Sequence, residues 1–263
     1  MYSGLKNRLT KYIKRKIAVL YESRIGTFFF KQTGYCPCCE QDVLFVARNS
    51  WLRDHFKCSH CGCIPRERAL MQTIKNYYPN WSELFIHESS PGKRGHSVLL
   101  QTKAKHYVET QFFPKASLGS YVNGIRHEDL EQQTFDDEAF DLVITSDVME
   151  HIYEPKKAFQ EIYRTLKPGG AHIFSVPIIN KHKKTQRWAT KNPDGSPEFL
   201  FEPEWHGNPV DKKGSPVTFH WGYDIKDFIE THTGAECEIV YIDNLEYGIR
   251  AEYIEIIVMK KPL

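Results

Sequence analysis

The sequence predicts an α/β protein, a mostly parallel sheet with helices on both faces, preceded by a small cysteine-rich module. Two observations carry this. From residue 84 onward, short apolar runs of strand character alternate with segments of helical period, which implies parallel strands joined by crossover helices. Before that point, six of the seven cysteines fall between Cys36 and Cys63, a local density unlike that of scattered core thiols. A length of 263 residues suits one such domain with an appendage, and 41% hydrophobic with 26% charged residues is ordinary for a soluble globular chain.

The N-terminal segment, 1–32, reads as a basic amphipathic helix. Leu5, Leu9, Tyr12, Ile13, Ile17 and Leu20 recur at helical spacing, and residues 1–35 carry eight Lys or Arg against Glu22 alone. The preferred reading packs the apolar stripe on this protein or on a second subunit; the alternative is peripheral contact with an anionic membrane surface. Net charge over the whole chain is only +2, so the chain as a whole is not a basic nucleic-acid binder. No apolar run approaches the roughly 20 residues needed to span a bilayer, and no secretory signal is evident. A cytoplasmic location, with membrane association through the first helix as an option, is the expectation.

The module at 33–80 follows. Cys36 and Cys39 form one C-x-x-C and Cys58 with Cys61 another, separated by the eighteen residues 40–57. This is the spacing of two zinc knuckles, which together close a tetrahedron of four thiolates and leave no position for water. A structural zinc is expected, helping to fold a segment too small to hold its own core. Cys38, His60 and Cys63 leave the register open. A helix from residue 63 to Pro79, with Ala69, Leu70 and Ile74 on its apolar face, links the module to the domain at 81–263.

In that domain, strands are expected at 84–88, 106–110, about 122–127, 140–147, 171–177, 237–243 and 253–260. Helices are expected near 96–104, from Pro155 to the KPGG stop at 167–170, and near 224–232. Pro155 suits a first helical position, and Ala158, Phe159, Ile162, Tyr163 and Leu166 share one face. Residues 178–222, polar and broken by Pro and Gly, read as a long insertion, which in a compact domain is more often functional than idle. In such sheets ligands bind beyond the carboxyl ends of the strands, where strand order reverses.

The stretch FDLVITSDVMEHIYEPKKAFQEIYRTLKPGGAHIFSVP (140–177) resembles the fourth-to-fifth-strand region of class I S-adenosylmethionine-dependent methyltransferases of the type 11 kind. The chain is also similar to a subgroup with ESSPG in place of the usual glycine-rich loop. Here the shared elements read ESSPG (88–92), DVMEH (147–151), PGGAH (168–172), WHGNP (205–209) and WGYD (221–224); many members have tyrosine where Trp205 stands. The resemblance implies a Rossmann-like sheet of seven strands, the last antiparallel, with S-adenosylmethionine as cofactor. Glu88, Ser89, Ser90 and Gly92 would approach the methionine part, since a sulfonium donor needs no phosphate cradle. Gln111 stands where the family usually has an acid for the ribose hydroxyls, with Glu109 as the alternative. Asp129 matches the position that meets the adenine amino group, Leu130 adds an apolar contact, and Ser146 and Asp147 complete the set.

For the chemistry, His151 follows the fourth strand and its pKa range suits a general base; Glu150 and His206 are the further candidates. Asp147, Glu150 and His151 could alternatively hold a divalent ion. Asn208, Asp211 and His220 are polar neighbours in sequence. Trp205, Trp221 and Tyr223 either stack on a sugar or other ring or serve as core. The expected function is methyl transfer to oxygen on a small-molecule or glycan acceptor, such as a surface-polysaccharide precursor. Two alternatives are an RNA or protein methyltransferase that grips its polymer with the zinc module, and a non-catalytic scaffold with a degenerate cofactor site.

Overall fold

A computed structural model of the chain describes residues 29–208, 210 and 212–263. The basic helix expected over 1–32 lies outside the described residues up to position 28, and Phe30 already opens the first strand; Asp211 is outside them as well.

The cysteine module is a three-stranded antiparallel sheet with two helices. Strand β1 (Phe30–Cys36) pairs with β2 (Gln41–Ala47) in an unbroken register from Phe30 opposite Ala47 to Cys36 opposite Gln41, and β3 (Lys57–Cys58) adds to β2. A one-turn helix, α1 (Leu52–His55), precedes β3, and α2 (Pro65–Tyr77) follows it. Pro65 loses nothing at the first helical position, where its missing N–H has no intrahelical partner. The Glu67 carboxylate turns back to accept the Ile64 N–H at 3.1 Å, satisfying one of the donors that every helix start leaves open. The buried face of α2, with Ala69, Leu70, Met71 and Ile74, enters the same apolar core as Ile86, Leu142, Ile173 and Ile256 of the main sheet. The module is therefore a layer of the domain rather than a separate bead. At Gly34 a Cβ would sit 2.0 Å from the Glu246 carbonyl oxygen, and the Tyr35 N–H donates to that oxygen at 2.7 Å.

The main sheet has eight strands. They are β4 (Phe85–Ser89), β5 (His106–Gln111), β6 (Tyr121–Val122), β7 (Ile125–His127), β8 (Phe140–Ser146), β9 (Leu166–Ser175), β16 (Glu236–Val240) and β17 (Ile256–Lys260), in the order β16-β17-β9-β8-β4-β5-β7-β6. Strands β4, β5, β7, β8 and β9 run parallel; β17 is antiparallel to both its neighbours. The eighth strand, beyond the seven implied by sequence, is β6, which folds back on β7 through Asn123 and Gly124, both at positive φ. That pair is the usual composition of a two-residue hairpin turn.

Helix α3 (His96–Lys103) follows β4. Helices α4 (Pro155–Thr165) and α5 (Ile225–Thr233) cover the opposite face, where Phe159, Ile162, Phe174, Trp221 and Ile257 form a second core. KPGG does stop α4, at Thr165, but β9 begins at once with Leu166 and runs through the glycines, its register slipping opposite Phe140–Leu142. The insertion at 178–222 contains six short strands, β10 (Gln186–Arg187), β11 (Ala189–Lys191), β12 (Pro197–Phe199), β13 (Trp205–His206), β14 (Ser215–Pro216) and β15 (Phe219–His220), paired β10-β15, β11-β12 and β13-β14. Among the described residues no helix is long and apolar enough to cross a membrane.

Candidate functional site

Strand order reverses at β4, whose neighbours β5 and β8 lead to opposite edges of the sheet. The crevice beyond the carboxyl ends of such strands is where open α/β sheets take their ligands, and most of the cofactor residues named from sequence lie around it. Ser90 follows β4 in the left-handed region at φ 58° and donates its N–H to the Thr110 carbonyl at 2.7 Å, a conformation that a non-glycine residue adopts only when its surroundings impose it. Glu88 is 1% exposed and turned under the loop. It accepts the Ser97 hydroxyl at 2.5 Å and the Tyr107 hydroxyl at 2.8 Å, and His96 Nε2 lies 3.2 Å away. Ser97 in turn accepts the Gly92 N–H at 2.9 Å. Burial, then the Glu88 charge, raise the Tyr107 phenol well above its ordinary range, so it stays a proton donor to that carboxylate. Ser89 is buried.

Gln111 ends β5, half-buried, its carbonyl accepting the Glu128 N–H at 3.3 Å. Asp129 is half-buried and uses one carboxylate oxygen to accept the Glu131 N–H at 2.8 Å; Leu130 beside it is buried. Ser146, the last residue of β8, lies 3.1 Å from the Ser175 hydroxyl. Asp147 follows at φ 53°. One of its oxygens accepts Ser175 at 3.0 Å; the other lies 2.7 Å from Arg53 Nη2 and 2.8 Å from Arg66 Nε. Burial opposes ionisation there, but Arg66 and then Arg53 outweigh it and hold the carboxyl at about 2. Both arginines come from the cysteine module, which thus clasps the end of β8. Composition gave no signal for this contact, since Arg53 and Asp147 are 94 residues apart.

Past Asp147 a short 3₁₀ turn, Met149–His151, presents Glu150 and His151. The insertion closes over it. Thr218 donates its N–H and hydroxyl to the Glu150 carbonyl at 2.8 and 2.9 Å, and Trp221 Nε1 donates to the Met149 carbonyl at 3.3 Å. Hairpin β13-β14 then brings His206 to the turn. At Gly214 (φ 89°) a Cβ would stand 2.1 Å from the His206 carbonyl oxygen, so only glycine fits there. His151 and His206 meet at right angles with ring centroids 5.0 Å apart. Glu150 is 2% exposed, with one oxygen 3.8 Å from a nitrogen of each ring. Glu150, and to a lesser degree Glu204, keep His206 above the usual imidazole range against the opposing effect of burial. The structure thus brings together the three catalytic candidates, His151, His206 and Glu150, although the last two are 56 positions apart in sequence and converge only through the insertion.

Other candidates divide. Trp221 is fully buried among Phe159, Phe219 and Phe228 and is core. Tyr223 donates to Glu255 at 3.1 Å, and Trp205 packs on Phe199 beneath Lys213. His220 stacks on Trp188 and lies 2.9 Å from Glu204, a residue that no motif in the sequence marks. Asp141, at the start of β8 and not a site candidate, accepts the Phe85 N–H at 2.8 Å and pairs with Lys167 at 3.0 Å. Two open hollows of about 970 and 780 Å³, one along β1-β2 and Glu246, the other between Lys181, Tyr223 and Tyr253, are lined by none of the residues expected from sequence to meet a cofactor.

In the module, the sulfurs of Cys36, Cys39, Cys58 and Cys61 converge within 4.8 Å of one another; Cys36 and Cys61 are 3.9 Å apart, Cys39 and Cys58 3.8 Å. Zinc–sulfur bonds of about 2.3 Å in a tetrahedron put sulfurs about 3.8 Å apart, so the donor set fits the ion. Cys36, Cys38 and Cys63 form an overlapping group, with Cys63 also 3.4 Å from the buried Arg68 guanidinium.

Residues 97–174, which run from α3 to the end of β9, match the methyltransferase domain family. The matched stretch is 78 of the 263 residues. Curated relatives share parts of it. The ubiquinone biosynthesis O-methyltransferase of Ruegeria pomeroyi is 27% identical over 123 residues, 39% of this chain and 49% of that protein. The demethylmenaquinone methyltransferase of Clavibacter sepedonicus is 41% identical over 56 residues, 20% of this chain and 23% of that one. The chain thus spans about half or less of the length of these relatives. An S-adenosylmethionine-dependent methyltransferase from Mesorhizobium loti superposes with a TM-score of 0.46 at 16% identity, over 73% of this chain and 97% of that one. The matched residues include β5 and β8 of the crevice, while β4 precedes them.

Proposed function

We propose that the protein transfers a methyl group from S-adenosylmethionine to an oxygen of a small-molecule or glycan acceptor. The observation that carries this reading is the convergence of Glu150, His151 and His206 just past the end of β8, beside the crevice where the cofactor residues lie. Bound S-adenosylmethionine supplies an electrophilic methyl. The loop Ser89–Gly92 admits its methionine part by close backbone approach, Gln111 accepts from the ribose hydroxyls, and Asp129 with Leu130 meets the adenine. Glu88 and Asp147 hold the loop and the strand end from behind, since their carboxylates are spent on Ser97, Tyr107, Arg53 and Arg66.

The acceptor hydroxyl lies in line with the methyl, which is chiefly a matter of positioning. As its oxygen bonds to carbon the sulfonium becomes a thioether, and the hydroxyl proton leaves toward the cluster, to His151 Nε2 or its neighbours. The curated relatives named for O-methylation in ubiquinone biosynthesis support oxygen as the methylated atom. His206 meets Glu150 and His151 of the DVMEH element, and Ser89 of ESSPG ends the neighbouring strand β4, in keeping with one acceptor site. One zinc, held by Cys36, Cys39, Cys58 and Cys61, would fix the module that delivers Arg53 and Arg66 to Asp147.

The experiment is a panel of catechol, phenol and sugar acceptors, read by release of S-adenosylhomocysteine, with His151→Ala alongside. The expected result is turnover with at least one hydroxyl acceptor, lost in His151→Ala while S-adenosylhomocysteine binding persists. Turnover unchanged in the variant would remove the cluster from the chemistry.

A further inference from the structure

We infer that Glu150, His151 and His206 form a second metal site, distinct from the four cysteines, that takes a divalent first-row transition ion and presents it to the acceptor. The three ligand atoms lie within 4.8 Å of one another, and the tautomers are fixed by what lies behind each ring. His151 Nδ1 is 2.8 Å from the Pro216 carbonyl, which can only accept, so that nitrogen carries the proton and Nε2 turns a lone pair toward Glu150. His206 Nε2 faces the Glu204 carboxylate at 3.3 Å, and its Nδ1 faces Glu150. A ring nitrogen backed by a carbonyl or a carboxylate, with the other nitrogen aimed at a common point, is the arrangement that metal-binding histidines adopt.

The second and independent observation is the state of Glu150. Its side chain is 3% exposed, and neither carboxylate oxygen has a hydrogen-bond partner among the described residues. At 3.8 Å the two imidazoles are too far for hydrogen bonds. A buried carboxylate without a partner is strongly disfavoured unless a cation is supplied, and an ion held by all three residues supplies one. Bonds of about 2.1 Å at tetrahedral angles would set the ligand atoms about 3.4 Å apart, so the two carboxylate-to-imidazole separations of 3.8 Å need close by only a few tenths of an ångström. His206, 35% exposed against 15% for His151, leaves the site open on one side, where water or an acceptor oxygen can complete the shell. Two imidazoles and one carboxylate with open positions select a first-row transition ion over magnesium or calcium, which prefer oxygen.

Asp147, the other acid of the DVMEH element, is excluded from this shell by its two arginines. An acceptor hydroxyl bound to the ion would lose its proton more readily, so His151 would be a ligand when the ion is present. That role rests on the methyl-transfer reading; binding of the ion does not.

The test titrates cobalt(II) into the full-length, zinc-loaded protein, followed by calorimetry and visible absorption, with S-adenosylhomocysteine titrated separately into each variant. One cobalt per chain beyond the zinc is expected, with the weak bands of nitrogen and oxygen ligands and no thiolate charge-transfer band. Glu204→Gln, which alters the group behind His206 and beside His220 but none of the three ligands, should weaken cobalt about 10–100-fold, and His206→Ala and Glu150→Gln at least as much, with S-adenosylhomocysteine binding retained. No second cobalt, or cobalt binding unchanged in His206→Ala and Glu204→Gln, overturns the site while leaving the methyltransferase reading intact. Cobalt bound as expected without any S-adenosylhomocysteine binding would sustain the site and sink the cofactor reading instead.

Discussion

His87 and His172 make the sheet acid-sensitive, and by an amount that the structure sets. Both are fully buried on β4 and β9. His87 Nε2 lies 2.8 Å from the Thr110 hydroxyl, His172 Nε2 3.0 Å from that of Thr145, and the His172 ring stacks on Phe174. Burial depresses each imidazole to about 3, helped by Arg126 at His87 and by His87 itself at His172. In the unfolded chain each titrates near 6.5. Between those values the unfolded state binds more protons than the folded one, so stability falls as pH drops below about 6.5 and continues to fall toward 3. Going from pH 7 to pH 5, each site contributes a loss of about 2 kcal/mol, or about 4 kcal/mol for the two, a large fraction of the roughly 5–15 kcal/mol of a typical domain. Urea unfolding at the two pH values measures the loss. Zinc release in acid would add to it, so the decisive quantity is the pH 7 to pH 5 difference in His87→Gln and in His172→Gln compared with wild type. Each variant should lose about 2 kcal/mol less on acidification than the parent, whatever its stability at pH 7. Equal acid losses in variants and parent would refute the assignment of these two histidines as buried neutral groups.

Other perturbations have equally definite outcomes. Asp147→Asn leaves Arg53 and Arg66 facing a neutral amide in a mostly buried setting; a carboxyl moved from its ordinary 3.8 to about 2 is worth about 2.5 kcal/mol at neutral pH, and thermal unfolding should show a loss of that order. That contribution is present above about pH 4 and disappears as pH falls toward 2, a lower window that overlaps the histidine range only between about pH 4 and 3. Cys58→Ser, or zinc removal by a chelator, should loosen the module and, through α2 and the arginine clasp, weaken S-adenosylhomocysteine binding measured by calorimetry. Cofactor affinity unchanged after zinc loss would show that the module is only an ornament on the domain. Gln111→Glu places an ionised acceptor where the ribose hydroxyls are assigned, and charge-assisted hydrogen bonds are roughly twice as strong as neutral ones; affinity should rise about tenfold, whereas a variant that binds no better places the ribose elsewhere.

The parts of the fold that were legible from sequence are those with long, unambiguous patterns. FDLVITS is apolar enough to be a strand buried on both faces, and it is β8. Pro155 and the periodic apolar residues after it fix α4, and the cysteine spacing draws the four sulfurs together. Elements of two or three residues have no period to read, so the hairpins of the insertion stayed hidden behind their polar, Pro- and Gly-rich composition. Asn123–Gly124 has the composition of a strong hairpin signal, but the strands beside it are too short to show a period, and 122–127 reads as one strand. Long-range pairings were not legible at all. Arg53 and Arg66 look like module surface until the module packs on the sheet, and nothing local to Glu150 announces that His206 will arrive beside it. Glu88 and Asp147 show the reverse effect, since a motif position marks them for the cofactor while only packing shows that their carboxylates already have partners.

The measurement that bears most directly on this account is calorimetric titration of S-adenosylhomocysteine into the zinc-loaded, full-length protein, with Ser90→Leu as the blocked control. One saturable site per chain is expected, lost when a bulky side chain fills the turn after β4. Absence of heat in the parent, or binding undisturbed by Ser90→Leu, would contradict the placement of the donor in the crevice between β4, β5 and β8.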